Sequence, residues 1–175
     1  MFERFRRTGT GERILAERRS LLGVLSDREA LLALPEGSLG RAYADFTARE
    51  EISADGLVAA SVEGGRRFDL GEQRRLFGER LRDMHDLWHV LNGWDSDIYG
   101  EMHLLGYSYA QLGGWAWLIL GVIANLLLAV RGRFEGIAYL RNAIRRGRGA
   151  TLLPAVDWEA MLPLPLDEVR ARLSI

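Results

Sequence analysis

LGGWAWLILGVIANLLLAV, Leu112 to Val130, is the stretch whose reading decides the architecture of this chain. It sits inside a longer run, from Glu101 to Arg131, that holds no Asp, Glu, Lys or Arg in between. Nineteen largely apolar residues are enough to cross a bilayer. The same pattern suits a helix buried on all sides by its neighbours, or one lining a greasy channel for a lipid tail. Three features favour burial. Asn125 falls mid-run, Gly113, Gly114 and Gly121 invite close helix packing, and no second segment of this kind exists. The expectation is a long, central, buried apolar helix.

Outward from that run the pattern is helical nearly throughout. ERILAERRSLLGVL places Ile14, Leu15, Leu21, Leu22 and Leu25 at helical spacings, and SDREALLAL opens with Ser26 and Glu29 at a capping-box spacing. Pro35 and Gly37 break the chain; a helix resumes from Ser38 with Leu39, Tyr43 and Phe46 on one face. SADGLVAASVE reads as a short helix from Ser53, and EGGRRFDL as a loop. A long helix runs from Asp69 to the stop at Asn92-Gly93. Ser96 or Asp95 caps the next helix, which leads into the apolar run. RGRFEGIAYLRNAIRRGRG resembles a cationic amphipathic helix, and the tail holds two short helices capped by Asp157 and Asp167. With no strand-like alternation, repeat or linker, the chain is expected to be an all-α, single-domain multi-helix bundle over 1–175, with 1–10 a flexible N-terminus.

Composition narrows the chemistry. The net charge of −1 gives no sign of a nucleic-acid partner. There is no cysteine, so any metal must be held by nitrogen and oxygen. There is no lysine either, which removes Schiff-base mechanisms. The opening MFERFRRTGTGERILAERR lacks the apolar core of a secretory signal and carries acids that a mitochondrial transit peptide avoids.

HDLWHVLNGWDSDIYGE, His85 to Glu101, carries two of the three histidines. His85 and His89 are one turn apart on one helix face, a spacing that lets two imidazoles reach one ion. Asp86 lies about 100° around the helix, able to reach the ion only from the side or to act behind a ligand. Glu101 follows the Asn92-Gly93 break and faces the histidines if the next helix folds back. Two histidines and a carboxylate with an open position form a catalytic rather than a structural ligand set. The bland alternative is a pair of hydrogen-bonded histidines beside core tryptophans. HDxxH is also not HExxH, and aspartate is one methylene short of a protease base. His103, two residues beyond Glu101, points to another face. Arg82, one turn before His85, either pairs with a substrate carboxylate or bridges to Asp86.

HDxxH followed by eleven residues and Glu resembles the signature of the coenzyme Q biosynthesis protein 4 family. LPEGSLGRAYADF (34–46), RLRDMHD (80–86) and VDWEAMLPLPLDEVRARLSI (156–175) are similar to further blocks of that family, so the resemblance spans residues 10 to 175. It implies a mostly helical protein of ubiquinone biosynthesis, peripheral on the inner membrane from the cytoplasmic side in a bacterium. It implies a divalent metal, zinc foremost with iron, manganese or magnesium as alternatives, held by His85, Asp86, His89 and Glu101. It also implies a polyprenylated ubiquinone precursor as partner, alongside other ubiquinone-biosynthesis proteins. Two roles come with it: oxidative decarboxylation, in which the carboxylate on ring carbon C1 is replaced by hydroxyl, and a non-catalytic scaffold that binds a prenylated intermediate. A zinc hydrolase ranks last, since the apolar helix has no purpose there. Gly106, Gly113, Gly114 and Gly121 either leave room for an isoprenoid or form a helix contact or homodimer seam. Arg141, Arg145, Arg146 and Arg148 either meet anionic lipid or form a solvated face.

Overall fold

The computed structural model describes residues 1–50 and 71–175. In chain order the helices are α1 (Phe2–Arg6), α2 (Gly9–Glu17), α3 (Leu21–Leu25), α4 (Arg28–Leu32), α5 (Leu39–Arg49), α6 (Glu72–Asp83), α7 (His85–Asn92), α8 (Ile98–Leu112), α9 (Trp115–Val130), α10 (Gly136–Gly149), α11 (Trp158–Met161) and α12 (Leu166–Leu173), with a 3-10 turn at Leu153–Ala155. Among the described residues there is no strand, only an isolated antiparallel bridge between Ser38 and Pro165. The all-α expectation holds. The helix expected from Ser53 and the EGGRRFDL loop lie outside the described residues.

Local chemistry explains most boundaries. Ser38 Oγ accepts from Arg41 N at 3.3 Å, and Leu39, Tyr43 and Phe46 of α5 are buried on the face their spacing predicts. The cap of α4 is Asp27 rather than Ser26. Ser26 still belongs to the end of α3, its N–H bonding Leu22 O, so the next residue caps, accepting from Ala30 N at 3.0 Å. Asp157 occupies the N-cap of α11 but gives its carboxylate to Arg13 and Arg19 instead of the backbone. Pro165, not Asp167, stands at the N-cap of α12. The helix expected to run unbroken through residue 84 is two helices. The helical pattern is interrupted for one residue at Met84, with φ −83° and ψ −2°, and the Met84 side chain is fully buried in the core. Residues 2–6, where a flexible terminus was expected, form α1, with Phe5 buried against Phe77 at 4.7 Å between ring centroids.

The core gathers Leu39, Tyr43 and Phe46 of α5, Leu87, Trp88 and Leu91 of α7, Leu104 and Tyr107 of α8, and Trp158, Val169 and Leu173 from the C-terminal segment. Each such side chain contributes roughly 1.5–3 kcal/mol of transfer free energy. Two features fix α7 in this core. Its end turns at Gly93, whose φ of 68° suits glycine. Its last carbonyls are satisfied from far along the chain: Arg170 Nε donates to Leu91 O at 2.8 Å, Arg170 Nη2 to Val90 O at 3.2 Å, and Arg146 Nη1 to Asn92 O at 3.3 Å. Arg80, 2% exposed, makes a bidentate bond to Glu159 at 2.9 Å and ties α6 to α11.

α8 and α10 pack with little space between them. A Cβ on Gly106 would sit 2.7 Å from Leu140 O, and one on Gly147 would sit 2.8 Å from Ala110 Cβ. Gly121 is likewise closed by Leu140. Gly106 and Gly121 therefore serve helix contact within the chain and leave no room for an isoprenoid.

The apolar run departs most from expectation. Gly113 and Gly114 both take positive φ, so the run breaks there and α9 holds only sixteen residues. None of the described helices is long and apolar enough to cross a membrane. Nor is α9 the buried centre of the bundle. Only Gly121, Asn125 and Leu128 are buried on it, while Trp115 is 71% exposed and Val130 89%. Ile119, Leu120, Leu126 and Leu127 are at least half exposed as well. The reason is geometric: α8 and α10 together cover one narrow face of α9, and a uniformly apolar sequence does not say how many neighbours will surround it.

Candidate metal centre

The site forms where α7 faces the first turns of α8. Gly93 reverses the chain, and Asp97 caps α8 by accepting from Tyr99 N at 3.1 Å and Gly100 N at 2.8 Å. Four residues after that cap, Glu101 stands opposite the α7 histidines. Ser96 and Asp95, the expected caps, are engaged elsewhere: Ser96 bonds Glu50, and Asp95 faces Arg49.

His85, His89 and Glu101 each bring one ligand atom into a set lying within 4.8 Å of one another. His89 Nε2 is 3.2 Å from Glu101 Oε1, and His85 Nε2 is 3.7 Å from Glu101 Oε2. Ligands about 2.1 Å from a shared ion stand roughly 3.0–3.4 Å apart, so the spacing needs only a small adjustment to close on one cation. His89 carries a second sign. It is wholly buried, yet neither ring nitrogen has a hydrogen-bond partner. The 3.2 Å approach to Glu101 is an ion-pair distance without hydrogen-bond alignment. Buried imidazole nitrogens are seldom left in that state, and a cation is the partner this donor set suits. Phe46 stacks on the His89 ring at 5.8 Å between centroids and holds it by packing.

Asp86, expected among the ligands, is not brought into the converging set. It is buried at 3% exposure, and its Oδ1 accepts from His85 Nδ1 at 2.9 Å. His103 is elsewhere, stacked against Trp94 at 4.9 Å and Tyr139 at 4.8 Å, with Nδ1 on Tyr99 O. Arg82 pairs with neither Asp86 nor Glu101: it bonds Asp83 Oδ1 through Nε at 2.8 Å and Nη2 at 2.6 Å. The adjacent Asp83 lies closer to the guanidinium than the expected partner four residues on.

The electrostatics follow from this crowding. Burial works to lower the His85 pKa, but the Asp86 and Glu101 carboxylates overrule it and hold the imidazole up at about 9. Burial likewise works to raise Glu101, while His85 and His89 pull its carboxyl down to about 2. Behind the histidines, burial first and then the Asp86 and Asp83 carboxylates push the Tyr43 phenol well up.

From this cluster a cleft of about 390 Å³ runs along α8. Arg82, His85 and Glu101 line it together with the apolar side chains of Leu81, Trp88, Leu104, Leu105 and Leu112 and with Trp117 of α9. Of the α6 residues that line it, Arg82 was expected from the sequence, whereas Gly78 and Leu81 were not. Their signal was present in the helical spacing Gly78, Leu81, Arg82, His85, one stripe leading into the first ligand.

A family model described as Coenzyme Q (ubiquinone) biosynthesis protein Coq4 matches residues 1–175. The chain is 31% identical over 167 residues to the mitochondrial ubiquinone biosynthesis protein COQ4 of Arthroderma otae, covering 95% of this chain and 60% of that protein. It is 32% identical over 167 residues to its counterpart in Talaromyces stipitatus, covering 95% and 56%. The chain thus spans less than two thirds of the length of these relatives. The crystal structure of a Nostoc punctiforme protein, described as acting in ubiquinone biosynthesis, shares the fold at a TM-score of 0.64 and 20% identity, covering 98% of this chain and 84% of that one.

Proposed function

The chain belongs to the Coq4 family of coenzyme Q (ubiquinone) biosynthesis proteins, and from that premise we propose that it catalyses a metal-dependent oxidative decarboxylation of a polyprenylated hydroxybenzoate-type precursor. In that reaction the C1 carboxyl leaves as carbon dioxide, water supplies the hydroxyl oxygen on the ring carbon, and dioxygen takes up the two electrons and two protons released, leaving as hydrogen peroxide. The observation that carries the reading is the meeting of His85, His89 and Glu101 beside an apolar cleft that His85 and Glu101 line.

The chain's own residues have distinct tasks. His85, His89 and Glu101 would hold a divalent ion, with zinc favoured by the family resemblance and iron, manganese or magnesium compatible with the same ligands. The bound ion supplies a positive centre that polarises a phenol or carboxylate oxygen. Arg82 lines the cleft and orients the substrate carboxylate with the guanidinium edge left over from Asp83. Leu81, Leu104, Leu105 and Leu112 exclude water and take up the start of the isoprenoid tail, each buried methylene contributing about 0.8 kcal/mol.

The exposed face of α9 supports peripheral attachment to the inner membrane. Between Glu101 and Asp157 the sequence holds six arginines and one acid, Glu135. Arg131 and Arg133 lie just beyond the C-terminal end of α9, and Arg148 beside Trp115 at its N-terminal end. A large apolar face bounded by arginines suits anionic lipid. The same face keeps the scaffold alternative in view, since an exposed apolar surface of this size also suits a partner protein or a second copy.

Purified protein supplied with metal, prenylated precursor and dioxygen separates the two roles. Mass spectrometric appearance of the C1-hydroxylated product, lost in His89→Ala with helicity retained, supports the enzyme. Tight precursor binding with no turnover under any of the four metals overturns it in favour of the scaffold.

A further inference from the structure

Resting on the reading that His85, His89 and Glu101 hold a cation, we infer that Asp86 is a positioning residue: it binds His85 rather than the ion and determines which ring nitrogen His85 turns toward it. A carboxylate only accepts hydrogen bonds, so the 2.9 Å contact from Asp86 Oδ1 requires the hydrogen to sit on His85 Nδ1. The neutral ring then carries its lone pair on Nε2, the atom that faces Glu101 at 3.7 Å. Nδ1 and Nε2 lie on opposite edges of the ring, so a carboxylate bound at Nδ1 stands on the side away from the ion.

The two histidines are supported differently. His89 is wholly buried, stacked on Phe46, and needs no hydrogen bond to stay in place. The side chain of His85 is 37% exposed, and a half-open ring keeps its orientation only if something holds it. Asp86, buried and fixed in the first turn of α7, supplies that hold. The protein then offers three ligand groups rather than four, which leaves positions for the oxygens of a substrate.

Cobalt(II) alone is the probe. The wild-type chain, Asp86→Asn, Asp86→Ala and His85→Ala are titrated at one pH, reading both affinity and the visible ligand-field bands. A positioning role predicts that Asp86→Ala weakens cobalt binding roughly 10–100-fold while the bands stay where wild type has them. Asp86→Asn, whose amide oxygen still accepts from Nδ1, recovers most of the affinity. His85→Ala, which removes a ligand, shifts the bands. If Asp86→Asn and Asp86→Ala shift the bands as His85→Ala does, Asp86 is a ligand and the inference is wrong. Equal affinity in Asp86→Ala and wild type overturns it too. If Asp86→Ala fails to fold, the bands of Asp86→Asn decide between ligand and positioning residue. No cobalt bound by wild type removes the metal reading itself, an outcome distinct from the others.

Discussion

Metal capture at this site should expel a proton, and the number follows from His85. In the metal-free chain its imidazole is held at about 9, above the ordinary 6.5, with burial opposed and outweighed by Asp86 and Glu101. At pH 7.5 the protonated form then outnumbers the neutral one by roughly thirty to one. An ion needs the neutral ring, so binding zinc at pH 7.5 must release about one proton from this residue. Glu101, held at about 2, is already ionised and releases none. Isothermal titration calorimetry of zinc binding in buffers of differing ionisation enthalpy reads the proton number as the slope of observed heat. A slope near one is expected, with zinc affinity rising about tenfold per pH unit up to pH ~9. Glu101→Gln, which removes one of the two carboxylates raising His85, should reduce the slope at pH 7.5. A slope near zero in wild type would refute the argument, because His85 would then be neutral before the metal arrived.

The metal-free protein should also show a pH signature in its stability. His85, raised, contributes stability that is complete below its ordinary 6.5 and lost as pH climbs through about 9; Glu101, lowered, contributes above its ordinary 4.5 and loses this as pH falls through about 2. Urea midpoints should therefore be highest between these ordinary values, and salt should flatten the effect since Glu101 is half exposed. Gly106→Ala should cost about 1–3 kcal/mol in chemical denaturation, because its methyl meets the Leu140 backbone oxygen. Gly78→Ala, in the middle of α6 with nothing within 4 Å, should instead stabilise by about 0.5–1 kcal/mol. Arg80→Ala should cost about 3–5 kcal/mol by leaving Glu159 without its partner, read as a lowered melting temperature by circular dichroism. Asp97→Ala should cost about 1 kcal/mol and weaken zinc binding as well, since the same cap sets where Glu101 stands.

The convergence of His85, His89 and Glu101 was legible because its rule is local. Two histidines at i and i+4 share a helix face whatever surrounds the helix, and Asn92-Gly93 announces the reversal that returns Glu101. Asp86 was harder, since one residue of offset leaves a side chain free either to join a ligand set or to support it. In the structure Asp86 stands 2.9 Å from His85 Nδ1 and outside the converging set. The apolar run was read as a helix but neither in its length, which Gly113 and Gly114 cut short, nor in its place. Period and hydropathy describe a helix's own surface, whereas burial depends on how many partners reach it, and α9 meets few. The interruption at Met84 could not be foreseen, because methionine is a good helix former. The partner of Arg82 turned on a choice between two carboxylates on the same short stretch, which periodicity does not rank.

The bonds from Arg170 to the end of α7 tie the helix that carries His85 and His89 to a residue far along the chain. While the polypeptide is still being made, His85 and His89 emerge long before the residue that secures their helix. Until then the carbonyls of Val90 and Leu91 lack the two bonds that Arg170 gives them in the folded chain. Chains halted before Arg170 should accordingly bind cobalt more weakly than the finished chain. On the proposed reading, loading with metal is then a late event, waiting on a residue that lies outside the converging set.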